Sequence, residues 1–192
     1  MKIIGLAGTN GSGKDTVGLM LAKRYKFLFI PSSGMLRDEA RRRNLPVERE
    51  VLRDISAQWR RESGLGVLID KSVELFKKQS NKYTGLVIAS LRNPGEVDRV
   101  HELGGKVVWI DADPKIRYER IYFRRRTDED NKTFEQFLAE EQAEMQHSGD
   151  EATLNMSAVK NKADIFLTND GNDIEAFQDA AELALGHRST IS

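Results

Sequence analysis

Gly8-Thr9-Asn10-Gly11-Ser12-Gly13-Lys14 is the stretch that decides how this chain is read. It follows the apolar run Lys2 to Ala7 and precedes a helical pattern from Asp15 to Arg24, so a strand enters a glycine loop and a helix leaves it. Glycines let successive backbone N–H groups turn inward around a di- or triphosphate, and the helix N-terminus adds partial positive charge. Lys14 then reaches the β- and γ-phosphates. A plain glycine turn is the bland alternative; the lysine directly behind the third glycine, in this strand–loop–helix context, argues against it.

Asp15 stands where phosphate loops usually carry the hydroxyl that meets magnesium, and Thr16 follows it. A carboxylate beside a triphosphate is repelled unless a cation lies between them, so Asp15 and Thr16 are candidate Mg²⁺ ligands. The run Leu86-Val-Ile-Ala89-Ser90 ends without the aspartate often found on that strand, which suggests that the carboxylate has moved to Asp15. Alternatively, Asp15 only favours the positive end of its helix, worth about 0.3–1 kcal/mol.

Working outward, Phe27 to Ile30, Leu86 to Ala89, Val107 to Ile110 and Ile165 to Thr168 read as further buried strands. Helical patterns alternate with them, which predicts a parallel sheet with helices on both faces. Val17, Leu19, Met20 and Leu21 are dense enough to predict a first helix covered on most sides. Residues 33–80 are almost wholly helical in pattern, broken at Asn44-Leu-Pro46 and Ser63-Gly-Leu-Gly66, and form a candidate movable cap. Ile116 to Arg126 is a basic helix and Phe134 to about His147 an amphipathic one, with a candidate lid between them over residues 120–135.

The 192 residues fit one domain, and 30 basic residues balance 30 acidic ones. No global field draws the chain to nucleic acid or to an anionic membrane, so any anion is held locally. The absence of cysteine excludes disulfides, thiolate metal sites and cysteine nucleophiles. No apolar run nears the roughly 20 residues that span a bilayer, and the start MKIIGLAG enters a strand directly, so a cytoplasmic location is expected. His101, His147 and His187 show no ligand spacing.

Phosphoryl transfer needs positioning and charge neutralisation, for which arginines from several elements converge. Arg37 follows the second strand and Arg92 the third; both sit at the carboxyl edge where parallel α/β sheets bind ligands. Arg120, Arg124, Arg125 and Arg126 lie on the basic helix, whereas Arg41-Arg42-Arg43 reads as a solvated surface run. Asn161-Lys-Ala-Asp164 matches a guanine-specificity tetrad but precedes its strand instead of following it. Trp109 reads as core; Asp111 and Asp113 are candidates for metal assistance or, for Asp113 ahead of Pro114, for helix capping.

These residues resemble the nucleoside monophosphate kinases and dephospho-CoA kinases, most closely the adenylate-kinase-related, dephospho-CoA-kinase-like proteins, over nearly the whole chain. Ser33-Gly-Met-Leu-Arg37 is similar to the acceptor-binding stretch of that group, and Ser63 to Asp70 to the segment closing around the acceptor base. Leu91-Arg92-Asn-Pro94 resembles the turn holding the acceptor phosphate, Arg120 and Arg124 the lid-entry arginines, and Arg126 to Asp130 the return from the lid. Ala163 to Gly171 is similar to the strand and turn that pass the adenine, which marks Asn169 and Gly171. Gly34 replaces an aspartate and Phe137 an arginine of the pattern.

The resemblance implies a three-layer P-loop α/β fold, a five-stranded parallel sheet of order 2-3-1-4-5, a helical acceptor cap and a short lid. It implies ATP as donor, Mg²⁺, and transfer of the γ-phosphoryl group to a nucleoside monophosphate or similar small nucleotide. Gly8, Thr9, Asn10, Gly11, Ser12, Gly13 and Lys14 would cradle the donor, Ser33, Arg37 and Arg92 the acceptor, and Arg120, Arg124 and Arg126 would close over the transferring group. Dephospho-CoA, phosphorylated on a ribose hydroxyl, and a non-catalytic ATP-binding regulatory module are the alternatives. The acceptor and the oligomeric state stay open at this point.

Overall fold

The computed structural model describes residues 1–124, 132–146 and 149–187, and of Arg124 the backbone alone. Strands β1 (Lys2–Gly8), β2 (Phe27–Pro31), β3 (Gly85–Leu91), β4 (Lys106–Asp111) and β5 (Ile165–Thr168) form one sheet of order β2-β3-β1-β4-β5. Every pairing is parallel, as the alternating pattern predicts. The central strands are apolar throughout because both faces are covered.

Successive side chains along each strand point to opposite layers. Ile3, Leu86, Ile88, Val107 and Trp109 pack with α4 (Val67–Lys77), α5 (Pro94–Glu102) and α8 (Met156–Lys162). Ile4, Leu6, Val87, Val108 and Ile110 pack with α1 (Lys14–Tyr25) and α9 (Ile174–Ala184). The result is the expected three-layer arrangement, with Trp109 in the core.

Helix α1 corrects one expectation. Val17, Met20 and Leu21 are buried, but Leu19 is 59 % exposed. At 100° per residue, position 19 faces away from the stripe that meets the sheet and α9, so α1 is covered on one side only.

Between β2 and β3 run α2 (Ser32–Arg42), α3 (Arg49–Ser63) and α4. They carry a satellite core of their own, built from Leu36, Ala40, Ile55, Val67 and Leu68. This cluster holds α2 and α3 together as a body standing over the carboxyl edge of the sheet. The breaks at Asn44 to Pro46 and Ser63 to Gly66 fall between these helices, where the sequence pattern puts them.

Two features fix the end of β3. Its register with β1 shifts between Leu6 and Ala7, so Ala7 pairs with Leu91, and Ser90 takes a left-handed φ of 71°. Just beyond, Asn93 and Glu96 form a reciprocal capping box at the start of α5, with Pro94 inside the first turn. Glu96 is fully buried and accepts four hydrogen bonds. Oε1 takes Arg60 Nε at 3.2 Å and Nη2 at 2.7 Å, and Oε2 takes the backbone N–H of Arg92 at 2.7 Å and of Asn93 at 3.2 Å. The carboxylate thus ties α3 to the turn after β3.

After β4, α6 (Pro114–Arg124) leads away and α7 (Phe134–Met145) returns. Asp113 Oδ1 accepts from the N–H groups of Lys115 and Ile116, which settles its role as a helix cap. Phe137 is buried under the Arg117 guanidinium, 5.5 Å from its ring centre. The Asn161 to Asp164 stretch closes α8 and precedes β5; Asp164 accepts from the N–H of Val107 and bonds His101, a structural use at the amino end of the sheet.

Candidate active site

The loop after β1 is shaped by its glycines. Gly8 has φ +133° and lies so close to β4 that a Cβ would stand 1.9 Å from the Ile110 carbonyl oxygen. Gly13 has φ +105°, and a Cβ there would meet the Asn169 amide at 2.5 Å. Both positions require glycine on conformational and steric grounds.

Behind the loop, Thr9 and Ser12 are buried. The Thr9 hydroxyl donates to Asp111 at 2.7 Å and the Ser12 hydroxyl to the Thr9 carbonyl at 2.9 Å. Asp111 therefore braces the loop and does not line the cavity. Lys14 folds back, donating from Nζ to the carbonyls of Gly8 and Thr9. Asn169 Nδ2 donates to the Ser12 carbonyl at 2.9 Å, and Arg120 Nη2 donates to the Gly171 carbonyl at 2.8 Å. The β5–α9 turn is thereby laid against the loop, bringing Asn169 and Gly171 to it.

A cavity of about 540 Å³ opens in front of the loop. One end is lined by Asn10, Gly11, Gly13, Lys14, Asp15 and Thr16, with Arg120, Asn169 and Gly171 beside them. From there the cavity extends past Ser90 and Arg92, at the end of β3, to Ser33, Arg37 and Leu68. The candidates for the glycine loop, Ser33, Arg37, Arg92, Arg120, Asn169 and Gly171 are thus gathered on this cavity or directly behind it; the Arg124 side chain is not described, and Arg125, Arg126 and the lid return to Asp130 lie outside the described residues. Ser33 accepts from Arg37 Nη1 at 3.2 Å.

Several cavity residues were not foreseen. Arg49, Arg53, Ser56 and Arg60 project from one face of α3, and Glu144 comes in from α7. Spacings of 3 and 4 put the first four on one helical stripe, a signal the sequence carries. Glu144 bridges Arg53 Nη2 at 2.6 Å and Arg92 Nη1 at 2.8 Å. Burial pushes its carboxyl up, but Arg92 and Arg53 outweigh that and hold it below the usual range. Arg117 was also missed. It is buried, pairs with Glu141 of α7, and donates to the carbonyls of Ala112 at 2.7 Å and Asn10 at 3.4 Å, so α7 is tied to the loop. By contrast Arg41, Arg42 and Arg43 pair locally with Asp38 and Glu39, as their surface reading predicts.

Burial, with Arg92 nearby, lowers Lys14 from 10.5 to about 7; Asp15 and Glu144 oppose the shift and Arg117 adds to it. The folded protein therefore binds fewer protons than the unfolded chain between those values, so this group favours folding increasingly as pH rises from about 7 toward 10.5. A triphosphate set against Lys14 would restore the charged form. Binding of Mg·ATP at pH 8 is expected to take up about one proton, seen by calorimetry in two buffers of different ionisation enthalpy. Enthalpies that do not depend on the buffer would contradict this.

Residues 4–146 match the protein family described as the AAA domain. A UPF0200 protein of Pyrococcus abyssi is 36 % identical over 150 residues, covering 74 % of this chain and 78 % of the relative. The chain belongs to both groups. A UPF0200 protein of Methanococcus maripaludis is 24 % identical over 180 residues, 93 % of either chain. Among solved structures, a shikimate kinase from Bacteroides thetaiotaomicron superposes with a TM-score of 0.57 at 14 % identity, covering 96 % of this chain and 98 % of that one. A Thermus thermophilus protein gives 0.56 at 19 % identity, covering 97 % of each. At such identities the superpositions establish the fold alone, one this chain shares with that shikimate kinase. Among the described residues no helix is long and apolar enough to cross a membrane.

Proposed function

We propose that this chain is an ATP-dependent kinase that transfers the γ-phosphoryl group to a nucleoside monophosphate or a similar small nucleotide. The observation that carries the reading is the single cavity joining Lys14 and the glycine loop at one end to Ser33 and Arg37 at the other. A phosphate donor and an anionic acceptor held at those two ends face each other. That is the geometry in-line transfer requires, with catalysis supplied by positioning and charge.

The donor phosphates lie on Gly8 to Lys14, and its base lies against Asn169 and Gly171. Asp15 and Thr16 both line the cavity beside Lys14 and offer oxygen donors of the kind Mg²⁺ takes. Among the described residues no cluster of three or more His, Cys, Asp or Glu forms a self-sufficient metal cage. A cation at Asp15 and Thr16 would be held by one or two protein oxygens together with phosphates and water. Arg37 and Ser33 receive the acceptor's anionic group, while Arg92 and Arg120 stand by the transferring phosphoryl group; Arg124 and Arg126 belong to the same proposal. In this reading residues 1–192 are one kinase domain, residues 33–80 serve as the acceptor cap and residues 120–135 as the lid.

ADP release is to be measured with Mg·ATP and, in turn, AMP, CMP, GMP, UMP, their deoxy forms and dephospho-CoA. At least one acceptor is expected to stimulate release over the rate with ATP alone. Arg37→Ala is expected to raise the KM for that acceptor at least tenfold, about 1.4 kcal/mol, with the KM for ATP unchanged. ATP binding with no stimulation by any of them would favour a nucleotide-binding module without transfer.

A further inference from the structure

Glu144 occupies a position that the phosphotransfer reading leaves unused. Besides the main cavity, its side chain lines a small one of about 20 Å³ that also touches Thr9 and Asn10. It therefore stands beside the opening turn of the glycine loop, where the end of a bound triphosphate would meet the acceptor. The carboxylate is held from both sides, by Arg53 and by Arg92.

The cations around the cavity are neutralised unevenly. Arg60 is matched by Glu96, Arg49 reaches Glu140 at 3.2 Å, and Arg53 with Arg92 shares Glu144. Arg37 bonds only the neutral Ser33 hydroxyl among its described hydrogen bonds and ion pairs. Arg37 lies on α2, which leaves the end of β2, with β3 between it and the loop strand β1. Arg37 is thus set back from the loop, and beside the loop the cavity carries the Glu144 carboxylate. A hydroxyl held there can donate a hydrogen bond to that carboxylate and pass it a proton, which a phosphate dianion cannot do.

Building on the phosphotransfer reading, we propose that the acceptor attacks through an alcohol hydroxyl that donates to the Glu144 carboxylate, while the acceptor's anionic group rests on Arg37. The hydroxyl oxygen forms its bond to the γ-phosphorus as the bond from that phosphorus to the β–γ bridging oxygen breaks. ADP departs with that electron pair, and the hydroxyl proton passes to Glu144 and on to solvent. In a loose transition state the proton leaves late, so a carboxylate of low basicity suffices to orient the nucleophile and receive it.

Water is the smallest hydroxyl nucleophile, so slow hydrolysis of ATP without any acceptor already tests the site. Single-turnover hydrolysis of γ-labelled Mg·ATP is to be compared in the parent protein and in Glu144→Gln, which keeps size and one acceptor oxygen but takes no proton. A rate at least tenfold lower is expected, with ATP Kd within twofold, at a temperature where both proteins are fully folded; Glu144→Asp is expected to recover part of the rate. Hydrolysis by Glu144→Gln at the parental rate would overturn the proposal. Independently of any variant, the parent is expected to make no new diphosphate from CMP, UMP or GMP, followed by phosphorus NMR. Appearance of such a diphosphate would overturn the proposal while upholding the kinase reading, whereas a parent that binds no Mg·ATP would overturn the kinase reading itself.

Discussion

Glu96→Gln is expected to destabilise the fold by about 3–5 kcal/mol, read from urea unfolding. The carboxylate is 1 % exposed and both its oxygens are fully used, by Arg60 and by the two backbone N–H groups after β3. Glutamine offers one oxygen where two are needed and turns an NH₂ toward existing donors. Arg60, itself 3 % exposed, is then left with only the Ser56 hydroxyl and the Ala152 carbonyl as acceptors. An uncompensated buried charge is the costly outcome, more than the loss of the pair as such. The effect should extend to the site, because the N–H of Arg92 is one of the groups Glu96 holds. A change below about 1 kcal/mol, the range of an exposed ion pair, would contradict this account of the β3–α5 turn.

Lys14→Ala is expected to lower turnover on the order of 10³-fold at saturating Mg·ATP, the scale of losing a principal charge from a phosphoryl-transfer site. Its Nζ already lies among the Gly8 and Thr9 carbonyls at the mouth of the loop, poised to move a short distance onto the phosphates. Because its charge is partly suppressed by burial and by Arg92, the binding energy of a triphosphate includes recharging it. The alanine variant should therefore also lose the proton uptake expected of the parent. Turnover within tenfold of the parent would remove Lys14 from the reaction.

The fold was legible because its signals are local. Each β strand is a short β-branched or apolar run bounded by loop residues, and both the glycine loop and the Asn93–Glu96 cap act over a few residues. Where a local signal was read too freely it failed: the density of apolar residues in α1 says little about direction, and Leu19 points to solvent. The glycine-loop end of the cavity was legible for the same reason, since Lys14, Asp15 and Thr16 follow directly from the loop.

The rest of the cavity was legible only in part. Arg37 and Arg92 could be found from their places after strands, but the Arg53–Glu144 pair spans 91 positions of sequence. No local pattern marks Glu144 as the carboxylate that enters an arginine-lined cavity, because its neighbours come from α3 and the β3–α5 turn. Arg117 shows the same difficulty. It shares a helix with Arg120, yet only the packing of α7 buries it, clasped by Glu141 and Phe137. The α3 stripe of Arg49, Arg53 and Arg60 is a missed signal of another kind, since helical spacing alone groups the three.

The most direct measurement is a titration with Mg·ATP followed at the backbone amides of residues 9–16 by nitrogen–proton NMR, in the parent and in Lys14→Ala. A loop that cradles phosphates predicts large, saturable shifts confined to those amides and the Asn169–Gly171 turn, weakened at least tenfold by the substitution. Amides that stay in place at millimolar nucleotide, or an alanine variant that binds as tightly as the parent, would contradict the account.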